Sequence, residues 1–216
     1  MIPETEPVPE EMLLGGWTIS DAAASYELPE EVKAVFEAAA AGIWDRILTP
    51  EAYLANQVVA GTNYQFLCGS TLADTAEKGL CILTVYEDLD SNVSVLNMKD
   101  LDLAELEAKT DAQIPTFYPD GGWSIPDQTE PAELPWDAQA AFDAAAGSLL
   151  GVDYVPAALL GTKVIAGTEY AVLCHAATVT EEPVNYYAVL FLAADPEGGV
   201  QVLNVVPLDP AEYSMP

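Results

Sequence analysis

The chain has 216 residues, of which 51% are hydrophobic, so it is long enough and apolar enough to bury a core. Its 35 acidic residues against 6 basic ones give a formal net charge of -29 at pH 7. A chain this negative repels polyanions, which excludes nucleic acid and anionic membrane surfaces as partners. No segment reaches the ~18 consecutive apolar residues of a membrane helix, so we expect no membrane span.

The first residues form an acidic leader. Residues 1–12 combine Pro3, Pro7 and Pro9 with four glutamates. This composition resists packing and favours an extended tether. Such a leader fits a secreted or cell-surface protein whose export signal is absent from this chain, and it also fits a cytoplasmic protein with an acidic tail. We expect the secreted or surface location.

The strongest signal is an internal repeat, in which Gly15 of the first copy corresponds to Gly121 of the second. Matches at this spacing run through the whole unit, with one inserted residue late in the second copy. They include Gly15–Trp17 with Gly121–Trp123, Ala60–Thr62 with Ala166–Thr168, and Val95–Asn97 with Val202–Asn204. The repeat predicts two domains of one kind, residues 13–110 and residues 111–216.

Each repeat begins with a predicted amphipathic helix. Apolar residues recur at intervals of three, four and seven from Leu28 to Ile47, after a start marked by Pro29 and two glutamates. The second repeat keeps this pattern from Leu134 to Leu149.

Short segments rich in β-branched and aromatic residues follow the helix. In the first repeat the predicted strands are Tyr53–Val59, Tyr64–Leu72, Leu80–Tyr86 and Val93–Met98. Turn residues separate them, as expected for an antiparallel meander. The predicted class is therefore α+β, with two tandem domains that each pack one helix on a four-stranded antiparallel sheet.

Few residues are suited to catalysis. The only histidine, His175, follows Cys174 on a predicted strand, where neighbouring side chains point to opposite faces and cannot form a dyad. Asp88 and Asp90 resemble the start of a calcium loop, but Lys99 stands where the bidentate glutamate belongs. We expect no enzyme activity, no cofactor and no metal site.

The cysteines do not form a disulfide framework. There are three of them, an odd number. Cys68 and Cys81 lie on neighbouring predicted strands, and the sequence leaves open whether they pair.

The predicted turn between the first two strands carries small apolar residues. The first repeat has Gln57-Val58-Val59-Ala60-Gly61, and the second has Lys163-Val164-Ile165-Ala166-Gly167. One interpretation is a binding surface, because apolar residues in a turn lack a packing role. The other is that the valines end a buried strand and the glycine supplies a positive φ for the turn.

Together these motifs resemble those of the cystatins, and their residues are most similar to the motifs of plant cystatins. The Gln-Val-Val-Ala-Gly sequence follows a helix, Leu14-Gly15-Gly16-Trp17 precedes that helix, and Gly61-Thr62-Asn63-Tyr64 continues as a cystatin second strand does. The order agrees over nearly the whole of each repeat. The resemblance implies two tandem cystatin-like domains, each a helix wrapped by an antiparallel sheet.

The resemblance also implies a set of partner-binding residues. In cystatins an N-terminal trunk and two hairpins form a wedge that enters the cleft of papain-like cysteine proteases. The matching positions here are Leu13, Leu14 and Gly15 in the trunk and Gln57, Val58, Val59, Ala60 and Gly61 in the first hairpin. Weaker counterparts in the second repeat are Gly121, Lys163, Val164, Ile165, Ala166 and Gly167.

The second hairpin departs from the family. Where cystatins have Pro-Trp, this chain has Leu89-Asp90 in the first repeat and Asp195-Pro196 in the second. The expected function is reversible, occluding inhibition of papain-like cysteine proteases, mainly through the first repeat. The alternative is a secreted or surface module that binds another protein or a glycan without inhibiting a protease. The oligomeric state is left open.

Overall fold

A computed structural model describes residues 16–20, 28–109, 122–126 and 133–214 of the chain. Within these ranges the chain forms nine strands and four short helices. The first repeat contains β1 (Thr18–Ile19), α1 (Glu30–Ala40), β2 (Arg46–Val59), β3 (Gly61–Leu72), β4 (Lys78–Glu87), β5 (Val93–Leu101) and α2 (Leu103–Glu107). The second contains α3 (Trp136–Ala146), β6 (Val152–Ile165), β7 (Gly167–Thr178), β8 (Asn185–Ala194), β9 (Val200–Leu208) and α4 (Ala211–Ser214).

The protein is mostly β, so the α+β class predicted from the sequence is wrong. Helices make up only about 18% of the described residues. The strands form one five-stranded sheet, in the order β1-β2-β3-β4-β5, and one four-stranded sheet, in the order β6-β7-β8-β9. The prediction of two cystatin-like units, each with one helix on a four-stranded sheet, is therefore replaced by two antiparallel sheets with α1 and α3 on their outer faces.

The strands are longer than predicted at the expense of the helices. The apolar pattern predicted a helix that continues to Ile47, but α1 ends at Ala40, and Ile47 lies exposed in β2. Because Arg46 already pairs with Leu72, β2 has 14 residues and β3 has 12. The glycine-containing N-terminal segment adds the fifth strand, with Thr18 opposite Asn56. In the described part of its counterpart, residues 122–126, one bridge forms, between Ser124 and Thr162.

The two sheets pack against each other through their inner faces. The core between them combines Leu67 and Ile82 from the first sheet with Leu160, Val189 and Phe191 from the second. Two further cores lie on the outer faces, where Phe36 of α1 contacts Phe66, with ring centroids 5.3 Å apart, and Phe142 of α3 packs on the second sheet. Both faces of the central strands are therefore buried.

The C-terminal helix of each repeat lies against the sheet of the other repeat. Leu103 and Leu106 of α2, and Tyr213 of α4, are buried in the core between the sheets. The side-chain amide of Asn204 in β9 donates to the Glu107 carbonyl at 3.1 Å. That of Asn97 in β5 donates to the Tyr213 carbonyl at 3.0 Å. These matched hydrogen bonds tie the two repeats together reciprocally.

The predicted division into residues 13–110 and 111–216 stays a prediction. The boundary and the acidic leader, residues 1–12, lie outside the described residues. What the structure adds is that the core between the sheets draws on both halves of the chain.

Candidate functional site

Two turns lie side by side at one end of the first sheet. The β2–β3 turn consists of Ala60 alone, because Val59 pairs directly with Gly61. The β4–β5 turn spans 88–92 and is adjacent because Thr62 pairs with Glu87. We call this surface, formed by 57–61 and 87–92, the hairpin end. It contains the first-repeat residues Gln57, Val58, Val59, Ala60 and Gly61 that the sequence predicts as partner-binding.

Gly61 makes this tight turn possible. Its φ of +128° is a conformation that L side chains rarely adopt. A Cβ at this position would collide with the Glu87 carbonyl and lie 2.8 Å from the Tyr86 ring. The Tyr86 hydroxyl donates to the Ala60 carbonyl at 2.5 Å, which holds the turn against β4. Gly61 is therefore a structural residue of the turn and is itself buried.

The apolar side chains beside Gly61 are partly exposed. Val58 and Val59 are each 39% exposed, and Leu89 in the neighbouring turn is 83% exposed. The interpretation that the valines only end a buried strand is thus incomplete, because they present apolar surface to solvent at the turn. Exposed apolar side chains grouped at one end of a sheet are typical of a docking surface.

The β4–β5 turn is closed by Asp88. Its carboxylate accepts the backbone N–H groups of Asp90 and Asn92, each at 2.8 Å, and the Asn92 side-chain amide at 2.8 Å. The hydrogen bonds from Asn92 lower the pKa of Asp88. The turn is the one in which the sequence predicts a Leu89-Asp90 replacement for Pro-Trp, and Leu89 supplies its only apolar side chain.

The N-terminal segment approaches the same end of the sheet. Because β1 runs antiparallel to β2 and Thr18 pairs with Asn56, Thr18 is the end of β1 nearer to the turn. Trp17 packs against the core between the sheets. The predicted trunk residues Leu13, Leu14 and Gly15 lie outside the described residues, as does Gly121 of the second repeat.

The second repeat uses its predicted lysine internally. The Lys163 ammonium contacts the Glu107 carboxylate at 2.9 and 3.1 Å and the Glu169 carboxylate at 2.5 Å. It also lies 5.0 Å from the Trp123 ring centroid, and its side chain is only 13% exposed. Partial burial lowers its pKa, but hydrogen bonds to Glu169 and Glu107 outweigh this effect and raise it. Lys163 is thus directed toward α2 rather than toward a partner.

The rest of the second predicted set lies at the corresponding turn. Ile165 pairs directly with Gly167, which leaves Ala166 at the tip, and Gly167 has a φ of +140°. Val164 is 73% exposed. The structure therefore brings Val164, Ile165, Ala166 and Gly167 together, and it separates Lys163 from them.

The histidine and cysteines offer no assembled nucleophile among the described residues. Cys174 is buried under α3, whereas the His175 ring contacts Tyr187 in the core between the sheets, so the two side chains lie on opposite faces of β7. Burial raises the pKa of the Cys174 thiol. Cys68 and Cys81 are directly opposite in the β3–β4 register, and both thiols are free.

A buried carboxyl group lies at a β-bulge of the first sheet. Glu51 is the extra residue between Pro50 and Ala52, which pair with Cys68 and Leu67. Its Oε2 is buried without a hydrogen-bond partner, and its Oε1 occupies the space that a Cβ on Gly69 would fill. Burial raises the pKa of Glu51 from 4.5 to about 7. This group is far along the strand from the hairpin end and resembles a structural feature more than a catalytic one.

A cleft lies at the opposite end of the first sheet. It has a volume of about 430 Å³, with Leu72, Leu80 and Trp123 in its walls and Arg46 at its rim. The Arg46 guanidinium is already bound to Asp100 at 2.7 Å and to Asp45 at 3.4 Å. No three His, Cys, Asp or Glu side chains converge on a metal position in the described ranges.

Comparison with known proteins does not extend these observations. Neither the protein-family models nor the curated proteins searched include a match to this chain. The resemblance to cystatins therefore depends on the motifs alone. Within the described part of the chain, no helix has both the length and the apolar character needed to cross a bilayer.

Sequence reasoning missed two residues that shape these surfaces. Tyr86 supports the first turn, and Glu107 of α2 captures Lys163. Tyr86 could have been noticed by comparing the two repeats. When the inserted residue is allowed for, Tyr86 aligns with Ala193, which has a much smaller side chain. The position of Glu107 could not, because its contact depends on how the two repeats pack.

Proposed function

We propose that the chain is a non-catalytic binding protein that inhibits papain-like cysteine proteases reversibly, by inserting the hairpin end of the first sheet into their active-site cleft. The observation that carries this proposal is the exposure of Val58 and Val59 at a tight turn, beside the exposed Leu89. Inhibition of this kind requires shape and apolar contact rather than a reacting group. A secreted or cell-surface location belongs to the same proposal.

The rigidity of the turn supports this proposal. The direct pairing of Val59 with Gly61 and the hydrogen bond from Tyr86 to Ala60 fix the backbone before any partner binds. A preformed loop loses less conformational entropy on binding than a flexible one. We assign the inhibitory surface to the first repeat rather than to the second. Gln57 interacts with Asn63 within its own hairpin, at 2.7 Å, whereas its counterpart Lys163 is bound to α2.

A second candidate function is binding of another protein or a glycan without protease inhibition. The observation that favours it is the chemistry of the neighbouring turn, where Leu89 is flanked by Asp88 and Asp90 and no aromatic anchor is present. Aromatic side chains supply much of the binding energy at protein interfaces. Without one, we expect inhibition no tighter than about micromolar, which corresponds to ~8 kcal/mol.

The test is an inhibition constant for papain with the whole protein and two variants. Val58→Ser combined with Val59→Ser removes apolar surface at the turn, and we expect it to weaken inhibition at least ~10-fold, equivalent to ~1.4 kcal/mol. The matched control is Val164→Ser, an exposed valine at the corresponding turn of the second repeat. We expect the control to inhibit as the unmodified protein does.

Two outcomes would contradict the proposal. Absence of papain inhibition by the unmodified protein would favour the second candidate function. Equal inhibition by all three proteins would show that the hairpin end is not the contact surface. Substitution of Gly61 is unsuitable for this test, because a side chain there collides with the Glu87 carbonyl and disturbs the turn itself. Circular dichroism checks that the variants are folded.

A further inference from the structure

A small cleft lies between the two turns of the second sheet. It has a volume of about 210 Å³, and its walls include Ala166 from the β6–β7 turn, Ala193 from β8, and Val200 and Gln201 from β9. The first sheet provides a direct comparison, because its two turns are built on the same register.

The position of this cleft is filled by a tyrosine in the first repeat. Tyr86 pairs with Asn63, and Ala193 pairs with Glu169, so Tyr86 and Ala193 occupy matching positions on their strands. The Tyr86 ring lies against the backbone of Gly61, and its hydroxyl donates to the Ala60 carbonyl at 2.5 Å. Ala193 has only a methyl group at this position, and the cleft lies beside it.

The backbone that receives the Tyr86 ring is repeated around the cleft. Gly167 corresponds to Gly61 and has a similar φ, +140° against +128°. Ala166 corresponds to Ala60, so its carbonyl is the counterpart of the one that accepts the Tyr86 hydroxyl. The three atoms nearest to a Cβ at Gly167 would be backbone atoms of Ala194 and Asp195, whereas at Gly61 two of the three nearest belong to the Tyr86 side chain. An apolar cavity of roughly 150 Å³ in a protein binds benzene, so this cleft is large enough for one aromatic ring.

We propose that this cleft binds the ring of a small phenol, with the hydroxyl donating to the Ala166 carbonyl. Asp195 lies in the cleft wall, and the protein is strongly acidic, so neutral and cationic phenols are favoured over anionic ones. The proposal does not depend on protease inhibition, because it concerns the second sheet and a different type of contact.

The experiment is an NMR titration of the whole protein with p-cresol, and with toluene as the matched compound without a hydroxyl. We expect saturable shifts of the Ala166, Gly167 and Ala193 amide signals with p-cresol, and at least ~3-fold weaker binding of toluene. Shifts that do not saturate, or that lie elsewhere, would overturn the proposal. Equal binding of toluene would overturn the assigned hydrogen bond.

Two variants exchange the residues of the repeats. Ala193→Tyr supplies the missing ring from within the chain, and we expect it to abolish p-cresol binding at the second sheet. Tyr86→Ala opens the matching position in the first repeat, and we expect it to add saturable shifts at Ala60 and Gly61. Unchanged p-cresol binding by Ala193→Tyr would contradict the proposal. If that variant does not fold, the location of the shifts in the unmodified protein still decides the question.

Discussion

Lys163 and Glu169 form a 2.5 Å ion pair at the two positions where the first repeat has the hydrogen-bonded residues Gln57 and Asn63. The same pair of facing strand positions is thus neutral in one repeat and charged in the other. The charged pair gains a third member, Glu107, from the C-terminal helix of the first repeat. The hydrogen bond from the Trp123 indole to Glu107, at 3.3 Å, completes the cluster.

Replacement of Lys163 by glutamine should destabilise the protein. The change leaves two largely buried carboxylates, Glu107 and Glu169, without their cation, and we expect the free energy of unfolding to fall by roughly 3 kcal/mol. Denaturant unfolding at pH 7 measures the loss. The control, Lys163→Gln with Glu169→Asn, recreates the neutral pair of the first repeat and should recover part of the stability. A single variant as stable as the unmodified protein would contradict a stabilising role for the cluster.

Glu51 should make the protein less stable as the pH rises through the range from about 4.5 to about 7. The buried carboxyl group keeps its proton in the folded state up to about pH 7, whereas the unfolded chain releases it near 4.5. Folding therefore takes up a proton within this range, so the free energy of unfolding falls as the pH rises through it, and the loss is complete above about pH 7. We expect Glu51→Gln to remove this loss, which is on the order of 3 kcal/mol at ~1.36 kcal/mol per pKa unit.

The measurement is the free energy of unfolding of both proteins between pH 4 and pH 9. Their difference should grow with pH and level off above about 7. Glu37→Gln, an exposed carboxyl group on α1, is the matched control for the loss of one negative charge. A pH-independent difference between Glu51→Gln and the unmodified protein would show that the carboxyl group is not held neutral by burial.

Deletion of residues 210–216 should destabilise the first repeat, although the residues belong to the second. The Pro210 carbonyl accepts the buried Gln65 amide at 2.8 Å, and the Tyr213 carbonyl accepts the buried Thr84 hydroxyl at 3.0 Å. Loss of these acceptors and of the Tyr213 side chain should cost about 3 kcal/mol or more. Hydrogen exchange in β3 and β4 locates the effect, and deletion of residues 215–216 alone is the control. Faster exchange confined to β8 and β9 would contradict this prediction.

Separation of the halves near residue 110 tests the two-domain prediction. Each half alone exposes the inner face of its sheet, including Leu67 and Ile82 in the first or Val189 and Phe191 in the second. We expect neither fragment to unfold cooperatively by itself, and an equimolar mixture to regain a cooperative transition. Cooperative unfolding of both isolated fragments would show that the outer cores suffice.

The local elements were largely readable from the sequence, because each has a local cause. Pro29 and Pro135 precede the helices, and the glycines at 61 and 167 mark the tight turns. The turn at 88–92 was expected from its Asp, Ser and Asn residues, and Asp88 closes it.

The fold class was predicted incorrectly because each sheet was expected to have only one of its two faces covered. The runs Leu80–Val85 and Tyr187–Leu192 do not alternate between apolar and polar residues: all their residues are buried, and Thr84 is the one polar exception to the first run. Such runs are typical of strands covered on both sides. The identity of the second cover could not be inferred locally, because contacts such as that of Lys163 with Glu107 join residues 56 positions apart.

The exchange of C-terminal helices has a consequence for synthesis on the ribosome. The Thr84 hydroxyl binds a carbonyl made 129 residues later. At roughly 5–20 residues per second, that atom appears on the order of ten seconds after Thr84. During this interval the inner face of the first sheet has no cover, so the part of the protein translated first is among the last to be completed. The nascent first repeat therefore needs protection from aggregation until the second has emerged.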